Sequence, residues 1–324
     1  GDHRDLHSFP TRRSSDLEME KKIKFFSLGT PKPSGILNIY RWYKSYLPVL
    51  KEYNPDIFFS PNFERGLPSH PVLNLFKNFK TKSIVTIYDV IPIAINRYTS
   101  KTFLHNLVKK FFYKFMFLGA EKADTVLTIS NFSKDDIVKY TKVEKNKIKV
   151  IYLGVSESFK QSSMELEPDK QNEILEIYGL KNEKYFFYDS GLEPNKGINE
   201  LLKIVKKLKN SLVTGVPLAF VIVGKSLAKG RGSEIKAKDA LGENFIEKAK
   251  VLGVLDNIIT TDKISEQILR VLLFNASAYL YLSKYEGFGF GPVQAMKAGI
   301  PAIGYNGSCI PEITDGGALL INST

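Results

Sequence analysis

Cysteine is nearly missing from this chain of 324 residues: Cys309 stands alone, which excludes an internal disulfide and leaves no thiolate cluster for a metal. Histidine is almost as scarce, with four residues, two of them in the first seven, so a histidine metal site has little to build on. No run of 18 apolar residues occurs, and no segment is expected to span a membrane. The first residues lack the apolar core of a secretory signal. These absences together predict a reducing, cytoplasmic setting.

Arginine is sparse too, eight against thirty-eight lysines, so the net charge of +12 is mostly lysine charge. Such basicity favours anionic partners, whether nucleotide diphosphates, anionic lipid surfaces or nucleic acid, without choosing among them. With 43% apolar residues the chain can bury a real core, and its length makes two domains the default.

Residues 1–17, GDHRDLHSFPTRRSSDL, hold three of the eight arginines and show no periodicity. Back-translated, they spell the common sequencing-library adapter oligonucleotide, so they are expected to add nothing to the fold. The carboxyl end, GGALLINST, stops just after an apolar run. Both ends therefore lead to the expectation of an internal fragment of a longer protein.

From Lys22 onward short runs rich in Ile, Val and Phe alternate with segments of helical period, the pattern of a parallel α/β sheet. The first half carries strand candidates at 23–28, 56–60, 83–88, 125–130 and 149–153, with helices near 36–52, 101–118 and 133–141. A polar stretch, 156–182, breaks this rhythm and reads as a linker with or before a short helix. Strand candidates resume at 185–190, 218–224, 257–260, 278–283, 301–305 and 318–321. The expected layout is thus a tail (1–17), an amino-terminal Rossmann-like domain (18–155), the linker, and a carboxyl-terminal Rossmann-like domain (183–324). Ligands of such sheets bind beyond the carboxyl ends of the strands.

The stretch 283–299, SKYEGFGFGPVQAMKAG, is the most informative. Glycines at 287, 289 and 291 follow a strand, Pro292 suits a helix start and Gly299 a helix end. Such a turn exposes free backbone N–H groups at a helix amino terminus, fit for a phosphate or for sugar hydroxyls, and also for a tight turn alone. VGKS at 223–226 is no P-loop, because Ala219 stands where that motif needs its first glycine.

EGFGFGPVQAMKAGIPAIG resembles the carboxyl-terminal signature of the retaining family 4 glycosyltransferases of GT-B fold. The resemblance implies two Rossmann-like domains facing a cleft, and transfer of a sugar from a nucleotide diphosphate to a carbohydrate or lipid-linked sugar acceptor in polysaccharide or glycoconjugate synthesis. By the same resemblance Glu286 contacts the transferred sugar, and Gly287, Phe288, Gly289 and Phe290 form the donor turn. Gln294 falls where the family has a second glutamate for the ribose. YFFYDSGLEPNKG (185–197) is similar to the family's first strand and turn of the nucleotide domain, placing Lys196 and Gly197 at the diphosphate. Ser190 and Gly191 stand where many members carry arginine. Lys225, Lys229 and Arg231 either replace that charge or form a solvated basic loop. Ile264 matches the residue that reads the base through its backbone.

SIVTIYDVIP and ADTVLTISNFSKDDIVKY follow the family's first domain, with Tyr88 in place of a frequent histidine and Asp89 next to it. Both act near the reacting sugar or are ordinary strand-end residues. The family's opening strand and glycine-rich loop have no counterpart. The resemblance implies no metal or resident cofactor, and nucleic acid is not among its partners. Helix 101–118 sets Leu104, Leu107, Val108, Phe111, Phe112 and Phe115 on one face with lysines opposite, which suits its own sheet or a peripheral seat on the inner membrane face. Two other readings stay open: a non-catalytic sugar-nucleotide-binding or scaffold subunit, and a GT-B sugar-nucleotide epimerase.

Overall fold

The computed structural model describes residues 48, 51–61, 80–95, 117, 119–211 and 219–322. The tail at 1–17, the strand expected at 23–28, and nearly all of the helices expected at 36–52 and 101–118 lie outside the described residues.

Four parallel strands make the first sheet, in the order β1 (Ile57–Ser60), β2 (Lys82–Thr86), β3 (Thr125–Thr128) and β4 (Ile148–Val150). A short helix, α1 (Ile91–Ala94), follows β2, and α2 (Asn131–Tyr140) follows β3. Helix α2 starts where Ser130 accepts a hydrogen bond from the Ser133 N–H, and it buries Ile137 in this half.

The region 156–182 is more than a tether. It forms two short 3-10 turns and α3 (Pro168–Ile177), and Phe159, Leu175 and Leu180 enter the core of the second half.

The second sheet contains β5 (Tyr185–Tyr188), β6 (Ala219–Ile222), β7 (Gly230–Arg231), β8 (Ile258–Thr260), β9 (Ala278–Tyr281), β10 (Ala302–Tyr305) and β11 (Leu319–Ile321). Its spatial order is β11-β10-β9-β5-β6-β8-β7, parallel except where β7 meets β8. From β5 the chain moves outward through β6 to β8, then crosses back to lay β9 on the other flank of β5. That is the doubly wound Rossmann order, and its switch point lies between β5 and β9.

Alternation along the strands explains the layers. Tyr185 and Phe187 of β5, with Tyr279 and Tyr281 of β9, enter one buried cluster; Tyr188, Leu280 and Leu282 enter the other. Both faces of the sheet are therefore apolar, as a sheet clothed on both sides requires. The first face packs under α3, α6 (Glu266–Phe274) and α7 (Phe290–Lys297); the second packs under α4 (Ile198–Lys209) and α5 (Ala240–Val251). In α4, Leu201, Leu202 and Val205 are buried while Lys203, Lys206 and Lys207 face solvent. The last helix, α8 (Ile310–Thr314), leads into β11. Residues 56–324 hold both sheets in one compact unit.

Candidate functional site

The loops leaving β5 and β9 meet at the switch point. Gly197, with φ +78°, leads into α4, and a Cβ there would lie 2.0 Å from the Leu282 carbonyl oxygen. Only glycine permits both that left-handed turn and that approach. The Lys284 N–H donates to the Asn195 carbonyl at 2.9 Å, which joins the two loops through their backbones. Side chains complete the junction: Lys196 Nζ reaches Glu286 Oε1 at 2.5 Å, and the Ser283 hydroxyl donates to the same oxygen at 2.5 Å. Lys196 and Glu286 keep 18% and 13% of their side-chain exposure, so the pair is largely shielded yet reachable.

Two helices point their amino termini from these loops. Helices α2, α5 and α6 are capped by the side chains of Ser130, Asp239 and Ser265, and Pro168 at the start of α3 removes one free N–H. In contrast, α4 and α7 begin behind the left-handed glycines Gly197 and Gly289 and have no side-chain cap. Their free N–H groups and the positive ends of their dipoles suit an anion.

Beneath the glycine-rich turn lie Tyr279 and Tyr281, stacked with ring centroids 6.2 Å apart. The Tyr279 hydroxyl donates to Asp189 Oδ1 at 2.5 Å, and a Cβ on Gly291 would sit 1.9 Å from that hydroxyl. The Tyr281 hydroxyl lies 3.3 Å from where a Gly289 Cβ would be. The glycines at 289 and 291 thus leave room for two buried phenols. Burial raises the Tyr281 hydroxyl's pKa well above the ordinary range, with the charge of Glu286 adding to it. Asp189 is also raised, because burial outweighs the Tyr279 hydrogen bond and the charge of Lys196, both of which lower it. Tyr188, likewise raised by burial first, has its hydroxyl 2.8 Å from the Gly191 carbonyl and 3.0 Å from that of Lys196, which braces the β5 loop.

Tyr88 and Asp89, beyond β2, approach the same turn from the other sheet: a Cβ on Gly287 would lie 2.8 Å from Asp89 Cβ and 3.4 Å from the Tyr88 carbonyl. Asp89 Oδ1 also accepts from the Ile91 N–H, which steadies α1. Phe288 is buried against the ring of Phe290, whereas Phe290 keeps 43% exposure. Ser190 and Gly191 follow Asp189 after β5, the Ser190 hydroxyl buried beside the Tyr279 phenol. Gln294 is half-buried on α7, and Ile264 follows β8, half-buried against the core. Helix α7 begins at Phe290, two residues before Pro292, and Gly299 ends the turn after it with φ +74°.

Of the two readings open for Arg231, the structure shows it engaged on the fold's edge: from the outer strand β7 it forms a two-pronged pair with Glu183, both contacts 2.8 Å. Lys229 lies over the Tyr178 ring at 5.8 Å and Lys225 is exposed near Asp239. Sequence reasoning missed Ser283, Asp189 and the two tyrosines. The one available signal was the shared two-residue step of Tyr279/Tyr281 and Gly289/Gly291. Among the described residues no cluster of three His, Cys, Asp or Glu side chains is placed to hold a metal ion.

Two family models divide the chain: "Glycosyltransferase Family 4" matches residues 5–159 and "Glycosyl transferases group 1" matches 170–322. The chain belongs to the family 4 glycosyltransferases. O-antigen chain mannosyltransferase B of Escherichia coli is 26% identical to this chain over 272 residues, covering 84% of this chain and 62% of that protein. O-antigen chain mannosyltransferase RfbU of Salmonella typhimurium is 24% identical, covering 78% of this chain and 59% of that protein. The chain therefore spans less than two thirds of these curated relatives. Its GT-B fold is shared with a glycosyltransferase from Rickettsia africae (TM-score 0.64, 19% identity, 97% of this chain and 74% of that one). It is shared as well with Anabaena Alr3699/HepE in complex with UDP (TM-score 0.61, 16% identity, 86% and 68%).

Proposed function

We propose that this glycosyltransferase moves a sugar from a nucleoside diphosphate sugar, seated at the carboxyl ends of β5 and β9, onto a glycan or lipid-linked glycan acceptor, with retention of anomeric configuration. The observation that carries this reading is the Lys196–Glu286 pair, 2.5 Å apart at the switch point between two helix amino termini without side-chain caps. A diphosphate entering there would be met by a lysine ammonium and free N–H groups, which stabilise the charge that develops on the leaving group. Glu286, released from Lys196, would then accept hydrogen bonds from hydroxyls of the sugar. Retention rests on the family, and the mannosyltransferase names of the relatives make mannose the first donor sugar to try.

The groups that would meet the donor, Lys196, Glu286 and the first turns of α4 and α7, all stand on the second half, so the test is binding. Titration with GDP-mannose, UDP-glucose and the free diphosphates should show saturable binding of at least one nucleotide sugar, weakened by Lys196→Met. Absence of binding to any of them by the folded chain would remove the reading.

A further inference from the structure

We propose that Ser133, together with Ser130, is a positioning residue for Glu286: from the amino-terminal half the two hydroxyls hold the carbonyl of Gly287 and so set the turn that follows the glutamate. The inference rests on the proposed donor site and adds to it residues that no glycosyltransfer role has been assigned. Ser130 Oγ donates to the Gly287 carbonyl at 2.7 Å and Ser133 Oγ donates to it at 3.1 Å, across 157 and 154 residues of sequence. Both serines are buried, 0% and 2% exposed, and two donors fill both lone pairs of that oxygen.

Capping of α2 does not account for this arrangement. Ser130 caps the helix through its acceptor lone pair, taking the Ser133 N–H at 3.0 Å, and that duty leaves its own proton free. Ser133 occupies the third helical position, where a glutamate or glutamine is favoured for capping, and its hydroxyl is instead spent on Gly287. The remaining N–H groups of the first turn are taken from the other half as well. Glu312 accepts from the Asn131 N–H at 2.6 Å and from the Phe132 N–H at 3.0 Å, and the Tyr152 hydroxyl donates to it at 2.8 Å. The donor half thus offers one carbonyl and one carboxylate, and the first turn of α2 offers two hydroxyls and two amides in matching places.

Gly287 admits this contact by lacking a side chain, since a Cβ would stand 2.8 Å from Asp89 Cβ and 3.3 Å from Ser133 Oγ. On the flanks, the Phe132 ring meets Tyr285 edge-on at 5.2 Å and the Tyr285 hydroxyl donates to Asp136. The peptide after Gly287 is planar and trans, so anchoring its carbonyl on α2 turns the Phe288 N–H toward the opposite side. Apposition of the halves and the shape of the turn beside Glu286 are therefore one event.

Hydrogen–deuterium exchange on the whole chain tests this without requiring turnover. Ser133→Ala should speed exchange of amides at 285–291 about fivefold, the factor for loss of one hydrogen bond, while the interior of α2 keeps its protection because Ser130 still caps it. Gly287→Ala, which wedges the same contact from the other side, should release the amides of 131–133. Unchanged exchange at 285–291 in Ser133→Ala, or equal loosening along all of α2, would overturn the proposal. Titration with a nucleoside diphosphate is run beside it. If the wild type fails to bind, the donor-site reading falls, whereas a wild type that binds together with an unchanged turn in Ser133→Ala removes only the positioning role.

Discussion

Lys196 and Glu286 form an ion pair 2.5 Å long although 90 residues separate them. Each comes from a loop at the carboxyl end of one of the two strands that flank the switch point, so the pair marks where the sheet's topology opens a crevice. Lys196→Met should lower nucleoside diphosphate affinity at least about tenfold, the worth of one charge-assisted bond. Calorimetric titration at fixed ionic strength measures it; equal affinities would mean that the lysine serves the fold alone.

Gly197→Ala and Gly299→Ala separate close approach from backbone strain. Both glycines have positive φ, but a Cβ at 197 meets the Leu282 carbonyl at 2.0 Å while one at 299 meets nothing within 4 Å. Gly299→Ala should cost about 1 to 2 kcal/mol, the left-handed penalty. Gly197→Ala should cost that and about 1 to 3 kcal/mol more for overpacking against backbone. Urea melts of the two variants give the comparison, and equal losses would show that the close approach between the loops is absent in solution.

Legibility in the sequence followed the periodicity. Ten strands from 56 to 321 were readable because each is a short stretch rich in Val, Ile, Leu, Phe, Tyr or Ala, and all ten are present among the described residues. β7 was not readable: two residues, Gly230 and Arg231, carry no alternation and pair antiparallel to β8 as an edge. Lys196, Glu286 and the glycines stood out through the family signature. Ser283, Asp189 and Tyr279 did not, because their roles come from pairing between strands adjacent in space and distant in sequence. Tyr279 and Tyr281 read as core residues, which their rings are; only the hydroxyls belong to the site.

Gln294→Glu should strengthen nucleotide binding if α7 meets the ribose. Among the described residues the bonds of Gln294 are those of its backbone, its carbonyl accepting from the Ala298 N–H at 2.9 Å, so a carboxylate there gains the diol without losing a side-chain partner. The expected gain is about 1.5 kcal/mol, roughly tenfold in affinity. A panel of a nucleoside diphosphate and its 2′,3′-dideoxy analogue reads it: the gain should vanish with the analogue, and a gain that persists would point to another cause.

Cys309 is buried, its thiol donating to the Phe288 carbonyl at 3.1 Å, and burial pushes its pKa from 9.0 up to about 12. In the unfolded chain the thiol ionises first as pH rises. Its contribution to stability is therefore whole below pH 9 and is lost progressively between about 9 and 12. Unfolding midpoints should show the gap between wild type and Cys309→Ala shifting against the wild type over that window. A pH-independent gap would contradict the burial of the thiol.

The most direct test is transfer itself. The chain, extended where turnover requires it, is given a nucleoside diphosphate mannose and a glycan acceptor, and the product is followed by NMR for the wild type and for Glu286→Gln, which keeps the shape of the side chain and loses its charge. The account predicts a glycoside with the anomeric configuration of the donor, and a kcat at least about 10²-fold lower in the variant, the scale for a group that acts on charge developing in the transition state. A product of inverted configuration, or a variant that turns over as fast as the wild type, would contradict it.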